Sequence, residues 1–277
     1  MRFTKMQGIG NDYIYVNGFE ETVRNPEALA VQMSRPHYGV GADGLVLIEP
    51  SDVADLGMRI FNADGSESEM CGNACRCVAK YAYERGLVSG SSMSLMTPSG
   101  LKLLEVRSTG GRVHSVRVDM GSPELNPRKI PVDLPGEIVL GQRLEVAGLS
   151  WQNNCVSTGN PHCVIFVQDP DLIDLPVLGP LIENHRIFPH RTNVEFATVV
   201  SRDRIRMRVW ERGSGETLAC GTGACAVLVA AVLSGRCNRE ALIQLAGGPL
   251  QVTWSPEDNH LYQEGPAEFV YDGFWPD

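Results

Sequence analysis

The chain has 277 residues, 43% of them apolar and 21% charged, with a formal net charge of −9. That length suits two domains or one large one rather than a single small core. An acidic balance without a Lys/Arg cluster argues against nucleic acid and against anionic membrane surfaces as partners. No run of about 18 apolar residues is present, as a membrane-spanning helix would require.

The opening segment Met1-Arg2-Phe3-Thr4-Lys5-Met6 has no apolar stretch of the kind that marks a signal peptide, so a cytoplasmic protein is expected. The eight cysteines, at 71, 75, 77, 155, 163, 220, 225 and 237, are then expected to be reduced thiols. Cys155, Cys163 and Cys237 read as small buried hydrophobes.

In chain order, β-branched and aromatic runs predict strands at Met58–Phe61, Arg112–Met120, Val164–Gln168, Asn193–Val200 and Ile205–Trp210. One helix is predicted to start after Cys71 and stop near Gly86, and a second to start after Cys220 and stop near Gly235. The first places Arg76, Lys80 and Arg85 beside an apolar set, which predicts one wetter edge. The second, running from Ala224 to Leu233, is apolar all round and should be buried on every side. Between the two halves, Gly121–Gly136 carries Pro123, Pro127, Pro131 and Pro135; that density opposes helix and central strand and marks a candidate linker.

The halves repeat at a constant offset of 149 positions. Gly10-Asn11 falls on Gly159-Asn160, Arg59–Asn62 on Arg208–Glu211, Cys71-Gly72 on Cys220-Gly221, and Gly86 on Gly235. The implied architecture is two similar domains related by a pseudo-two-fold axis, with a ligand site in the cleft between them.

The repeated Cys-Gly motifs carry the chemistry. A cysteine just before a buried helix faces N–H groups that have no intrahelical partner and carry partial positive charge. Its thiol is expected to have its pKa lowered from about 8.5 towards 7. Gly72 and Gly221 would let a ligand approach the backbone, and the helix starts would hold a carboxylate. Two thiols on opposite faces of one carbon suit inversion of a stereocentre: a thiolate removes the proton and the opposite thiol returns one. Cys71-x3-Cys75-x-Cys77 lacks the spacing of common zinc sites, and the second half offers only Cys220 and Cys225, so no metal is expected. Asn11, Asn62, Asn73, Asn160 and Asn193 offer donors and acceptors suited to a zwitterion, although each alone also reads as a turn or cap residue. Glu211 suits an ammonium and Arg212 a carboxylate, with a surface ion pair as the alternative. His162 follows Asn160-Pro161 and reads equally as structural or catalytic.

The chain resembles the diaminopimelate epimerases. The matching segments in the first half are Phe3–Tyr13, Gly39–Gly44, Asn62–Ser66 and Met70–Asn73; in the second they are Gly159–Cys163, Arg191–Phe196, Trp210–Thr217 and Ala219–Gly223. The resemblance implies an α/β (mixed α+β) fold of two pseudo-symmetric domains, each a curled mixed sheet around a central helix. Domain limits of 1–120 and 121–266 are expected, with 267–277 returning to the first domain. It implies interconversion of LL- and meso-diaminopimelate, on the route to lysine and peptidoglycan precursors, with no cofactor. Cys71 and Cys220 would be the acid–base pair, supported by Glu211 and His162. Gly72, Asn73, Gly221 and Thr222 would hold the α-carboxylate, and Asn11, Asn62, Asn160, Asn193, Glu211 and Arg212 would contact the substrate. The partners expected are a small amino acid and a second copy of the chain in a homodimer. The alternative is another racemase of this fold, acting on proline, hydroxyproline or histidine. Two departures stand out: Gly44 replaces a glutamine found in some members, and Ala74 replaces a frequent glycine.

Overall fold

The computed structural model describes residues 1–276. The chain divides into two compact units, Met1–Asp119 with the residues from Glu264 onward, and Met120–Gln263. Asp277, the last residue of the segment expected to return to the first domain, lies outside the described residues.

The first unit contains β1 (Arg2–Gly8), β2 (Asn11–Asn17), α1 (Pro26–Ser34), β3 (Gly44–Glu49), β4 (Leu56–Asn62), β5 (Glu67–Ser68), α2 (Gly72–Glu84), β6 (Ser92–Thr97), β7 (Gly100–Thr109) and β8 (Arg112–Gly121), whose end leads into the second unit. The second contains β9 (Val139–Val146), β10 (Leu149–Ser157), β11 (Pro161–Phe166), α3 (Leu175–Glu183), β12 (Asn193–Ser201), β13 (Arg204–Glu211), β14 (Gly215–Thr217), α4 (Gly221–Leu233), β15 (Glu240–Leu245) and β16 (Gly248–Trp254). β17 (Leu261–Gly265) leads back, and β18 (Glu268–Phe274) pairs antiparallel with β1.

The repeat extends to the topology within each unit. β1 pairs antiparallel with β2, β2 parallel with β3, β3 antiparallel with β4 and β4 parallel with β6. In the second unit β10, β11, β12, β13 and β15 make the same series of pairings. Even the register repeats: Tyr13 stands opposite Gly44, and His162 opposite Asn193. α2 packs against both β1 and β7, and α4 against β10, β12 and β16, strands far apart in the pairing order. A sheet can touch one helix with such distant strands only by curling around it.

Both central helices end as expected. Gly86 and Gly235 have φ of +75° and +68°, a conformation that costs glycine little. Beyond them Leu87 N donates to Ala82 O and Arg236 N to Ala231 O, the six-to-one closure of a Schellman stop. Four of the predicted strand runs lie in β4, β8, β12 and β13; the fifth, Val164–Gln168, overlaps β11, which ends at Phe166.

Two expectations are corrected, and two helices were not foreseen. The wetter edge of α2 is confined to its end at Arg85, because the curled sheet encloses Arg76 and Lys80. Arg76 is fully buried, donating from Nε to Pro266 O at 3.1 Å and from Nη2 to Asn73 Oδ1 at 2.8 Å. Lys80 donates to Val113 O and pairs with Glu84 at 3.1 Å. Beyond Gly121, the last residue of β8, the segment to Gly136 forms no helix or named strand, yet it is not a free linker: Ile130 and Val132 belong to the core of the second unit, and Asp133 N bonds Ile187 O. Finally, α1 and α3 went unpredicted. Their signals are local, an Asn25 side chain that accepts from Ala28 N, and prolines in the first turn of each.

Each unit has its own core. In the first, Phe3, Ile14, Val16, Met33, Leu45 and Phe61 pack together; in the second, Phe196, Ile165, Ile182 and Val194 do so, with Trp151 edge-on to Phe196 at 5.6 Å. α3 lies so close to β13 that a methyl group at Gly179 would sit 2.5 Å from the Trp210 ring. Gly179→Ala should therefore cost about 1–3 kcal/mol through overpacking. Thermal or denaturant unfolding checks this, and an unchanged midpoint would contradict it.

Candidate active site

Cys71 and Cys220 each occupy the residue immediately before a central helix, with extended backbone at φ −140° and −131°. In neither case does the side chain cap the helix. The side chain before each helix is a thiol rather than the usual Ser, Thr or Asp oxygen, so the first N–H groups of α2 and α4 face a sulfur, an arrangement suited to an anion.

In the first unit, Asn11, Asn73, Asp43 and Arg76 form one chain of hydrogen bonds around Cys71. Arg76 is donor-only, so its bond fixes the Asn73 carbonyl towards it. Asn73 Nδ2 then donates to Asn11 Oδ1 at 3.2 Å, while Asn11 Nδ2 donates to Asp43 Oδ2 at 2.7 Å. The same Asn11 oxygen accepts from Cys71 Sγ at 3.3 Å. A buried cation at one end and a carboxylate at the other set the direction of every amide between them. Asn62 stands apart from this chain, donating to Ser66 Oγ at 3.0 Å. Cys75 and Cys77 are fully buried, and burial pushes their thiols up to about 12 and about 11. They are inert core residues. Among the described residues, no three His, Cys, Asp or Glu side chains converge as a metal site requires.

In the second unit, Cys220 is 4% exposed and its Sγ lies 3.4 Å from Thr222 Oγ1. The expected lowering of its thiol pKa is overturned. Burial first, then the neighbouring Glu211 and Glu195 carboxylates, push the thiol well above its ordinary value; the Thr222 hydroxyl and Gly223 N–H pull it back less. A helix start lowers a thiol pKa only where desolvation and like charge do not outweigh it. Glu211 is itself raised, chiefly by burial, with hydrogen bonds from Thr217 and Cys220 opposing. His162 is fully buried, with Nε2 2.8 Å from Asn160 Oδ1 and Nδ1 2.6 Å from Glu195 Oε1. Arg212 is exposed, and its Nη1 bonds His190 O. At Gly221 the space a Cβ would take is filled by the Gln263 carboxamide at 2.3 Å, so there the glycine admits a protein side chain.

Sequence reasoning missed Glu195, Asp43, Arg76 and Gln263 as residues of these surroundings. Glu195 sits in a strand run that otherwise reads as apolar core, and Arg76 in what reads as a solvated helix edge.

The two halves differ at one instructive position. Asn193 Nδ2 donates to Pro161 O, and its Oδ1 accepts from Arg212 N. In the first unit, the backbone of Asp43 makes the corresponding bonds: its N donates to Asp12 O, and its O accepts from Ala63 N. A side-chain amide in one half does the work of a peptide group in the other. Gly44, the repeat partner of Asn193, consequently has no amide role, and a Cβ there would lie 2.1 Å from Phe61 O and 2.9 Å from the Tyr13 ring.

Similarity to known proteins gives the class, an isomerase. A probable proline racemase from Agrobacterium radiobacter superposes with a TM-score of 0.75 at 15% identity, covering 99% of this chain and 92% of that one, which establishes the shared fold. The family model for diaminopimelate epimerase matches residues 3–126 and 154–270, and the chain belongs to that family. It is 54% identical over 279 residues to the diaminopimelate epimerase of Pelotomaculum thermopropionicum (100% of this chain, 99% of the relative). Against the enzyme of Acetivibrio thermocellus it is 52% identical over 273 residues (99% and 98%).

Two outcomes follow. Gly44→Gln should destabilise the first unit by about 2–3 kcal/mol, because backbone must move to admit the side chain; unfolding within about 0.5 kcal/mol of wild type would contradict the packing described. Iodoacetamide alkylation of Cys220, read by peptide mass against pH, should reach half its maximal rate above the ordinary cysteine value of about 8.5. A half-maximal pH at or below that value would contradict the environment assigned to this thiol.

Proposed function

We propose that this chain epimerises 2,6-diaminopimelate at one α-carbon, between the LL and meso forms, with Cys71 and Cys220 as the acid–base pair. It is an isomerase acting on a small amino acid, in the reaction series leading to lysine and peptidoglycan precursors. The observation that carries the two-cysteine reading is the repeated helix start, Cys-Gly with the cysteine immediately before a central helix in each unit.

One thiolate takes the α-proton and becomes a thiol. The electron pair left on carbon is delocalised into the α-carboxylate, whose growing charge is met by helix-start N–H groups at Gly72, Asn73, Gly221 and Thr222. The other thiol gives its proton to the opposite face and becomes the thiolate. The protein's protonation state after one turnover is thus the mirror of its state before, and the two thiols titrate as a pair. Glu211, which shares a hydrogen bond with Cys220, and His162 support the proton transfers. Asn11, Asn62, Asn160 and Arg212 contact the substrate, Arg212 by a two-pronged bond to a carboxylate. Asn193 keeps one N–H and one lone pair for a ligand after its two backbone bonds. The two epimerase domains are 1–120, with 267–277 returning to it, and 121–266.

We place the enzyme in the cytoplasm, where reducing conditions would keep its eight cysteines as thiols. Among the described residues no helix is long and apolar enough to cross a membrane. A homodimer is supported by the exposed apolar side chains of Val270, Tyr271 and Phe274 on β18.

Incubation with LL-diaminopimelate in D2O should give meso product carrying one deuterium at the inverted carbon. L-Lysine, which lacks the distal carboxylate, should not react, since a site built for a polar group rejects a ligand lacking it. Turnover of L-proline or L-histidine above that of LL-diaminopimelate would replace the substrate and leave the two-cysteine chemistry standing. Mild oxidation should abolish activity reversibly through a Cys71–Cys220 disulfide; inactivation through Cys75 or Cys237 would contradict the pairing.

A further inference from the structure

Glu195 lies on β12 with its side chain wholly inaccessible to solvent. Its Oε1 is 2.6 Å from His162 Nδ1, and its Oε2 has no hydrogen-bond partner. A methyl group built on Gly223, in the first turn of α4, would lie 2.8 Å from Glu195 Oε1 and 3.3 Å from Cys220 Sγ. The carboxylate and the sulfur therefore border the same small space at the helix start. A buried carboxylate with one oxygen unsatisfied is costly, and a fold retains it where it has a task.

The titratable groups around Cys220 come from three strands: His162 from β11, Glu195 from β12 and Glu211 from β13. Cys163 on β11 is the next thiol beyond Glu195, and Cys225 is the other thiol of α4. His162 is the one among these groups able to carry positive charge, and its Nδ1 is committed to Glu195. Two carboxylates thus face one thiol, and one of them is tied to the imidazole.

We propose that Glu195 is a positioning residue for the Cys220 half of the site: it fixes His162 through Nδ1 and, as a second buried carboxylate beside the sulfur, keeps Cys220 proton-bearing until substrate is bound. This rests on the two-cysteine reading above. Its consequence is a defined resting state in which Cys220 is the acid. When Cys220 gives its S–H proton to the substrate carbon, the resulting thiolate stands beside like charge. It is then driven to recover a proton, from the α-carbon of a substrate of the opposite configuration or from solvent. The same pressure that makes the thiol a poor base at rest makes it a strong one after turnover.

The test needs no substrate. Glu195→Gln keeps the size of the side chain and a bond to Nδ1 while removing the charge. Cys220 alkylation by iodoacetamide, followed against pH by peptide mass, should then shift its half-maximal pH downward by about one unit or more, with a roughly tenfold faster rate at pH 8. Cys71, read in the same samples, should keep its wild-type profile. A loss of packing alone would speed alkylation equally at every pH without moving the half-maximal point; that result, or an unshifted profile, overturns the proposal. Should Glu195→Gln not fold by circular dichroism, Glu195→Met, apolar and of similar length, must give the same downward shift. A wild-type enzyme that incorporates no deuterium into diaminopimelate would sink the epimerase reading, whereas an unshifted profile in a deuterium-incorporating enzyme sinks this inference alone.

Discussion

A helix wrapped by its own sheet has few places to meet solvent or ligand, and its N-terminal turn is one of them. Everything chemical in this protein depends on that constraint. Because α2 and α4 are enclosed along their length, the first turn of each is left with donors that the helix itself does not satisfy. The residue before that turn is held in extended backbone, which brings its side chain beside those donors. Placing cysteine there puts a polarisable, ionisable atom next to partial positive charge, and glycine after it keeps the turn accessible. The burial that makes these sites useful also makes them costly for charge, which is why Cys220 sits so far from the ordinary thiol.

The halves share topology and register but not electrostatics. The first surrounds its cysteine with a buried guanidinium, two amides and Asp43; the second with two carboxylates, an imidazole and a hydroxyl. A duplicated scaffold has thus diverged around its two cysteines while keeping the same helix start at each. The exchange at Gly44 and Asn193 is the same kind of change in miniature. A peptide group and a side-chain amide satisfy equivalent backbone positions, so one half can dispense with a side chain altogether.

Much of this was legible in the sequence, because the features that carry it are local. The constant offset is visible in Cys-Gly, Gly-Asn and the terminating glycines, and α2 and α4 obey it to the residue. Strands such as β4 and β13 follow from short β-branched and aromatic runs. What stayed hidden depends on contacts between distant segments. Nothing near Arg76 in sequence reveals that Pro266 will receive its guanidinium, so the helix edge reads as wet. Nothing near Cys220 reveals that carboxylates from β12 and β13 converge on it, so the helix dipole was expected to prevail. Glu195 is hidden for the same reason: in a run of Val, Phe and Ala a lone glutamate reads as a surface position, and only parallel pairing with β11 places it against His162.

The central claim is that inversion uses two protein bases, one from each repeat. It is tested most directly by Cys71→Ala and Cys220→Ala, assayed separately for conversion of LL-diaminopimelate to the meso form, with circular dichroism to show that each variant is folded. Loss of an essential acid or base typically costs about 10²–10⁴-fold. Both variants should fall at least a hundredfold below wild type. A folded variant retaining more than about a tenth of wild-type turnover would contradict the two-thiol mechanism.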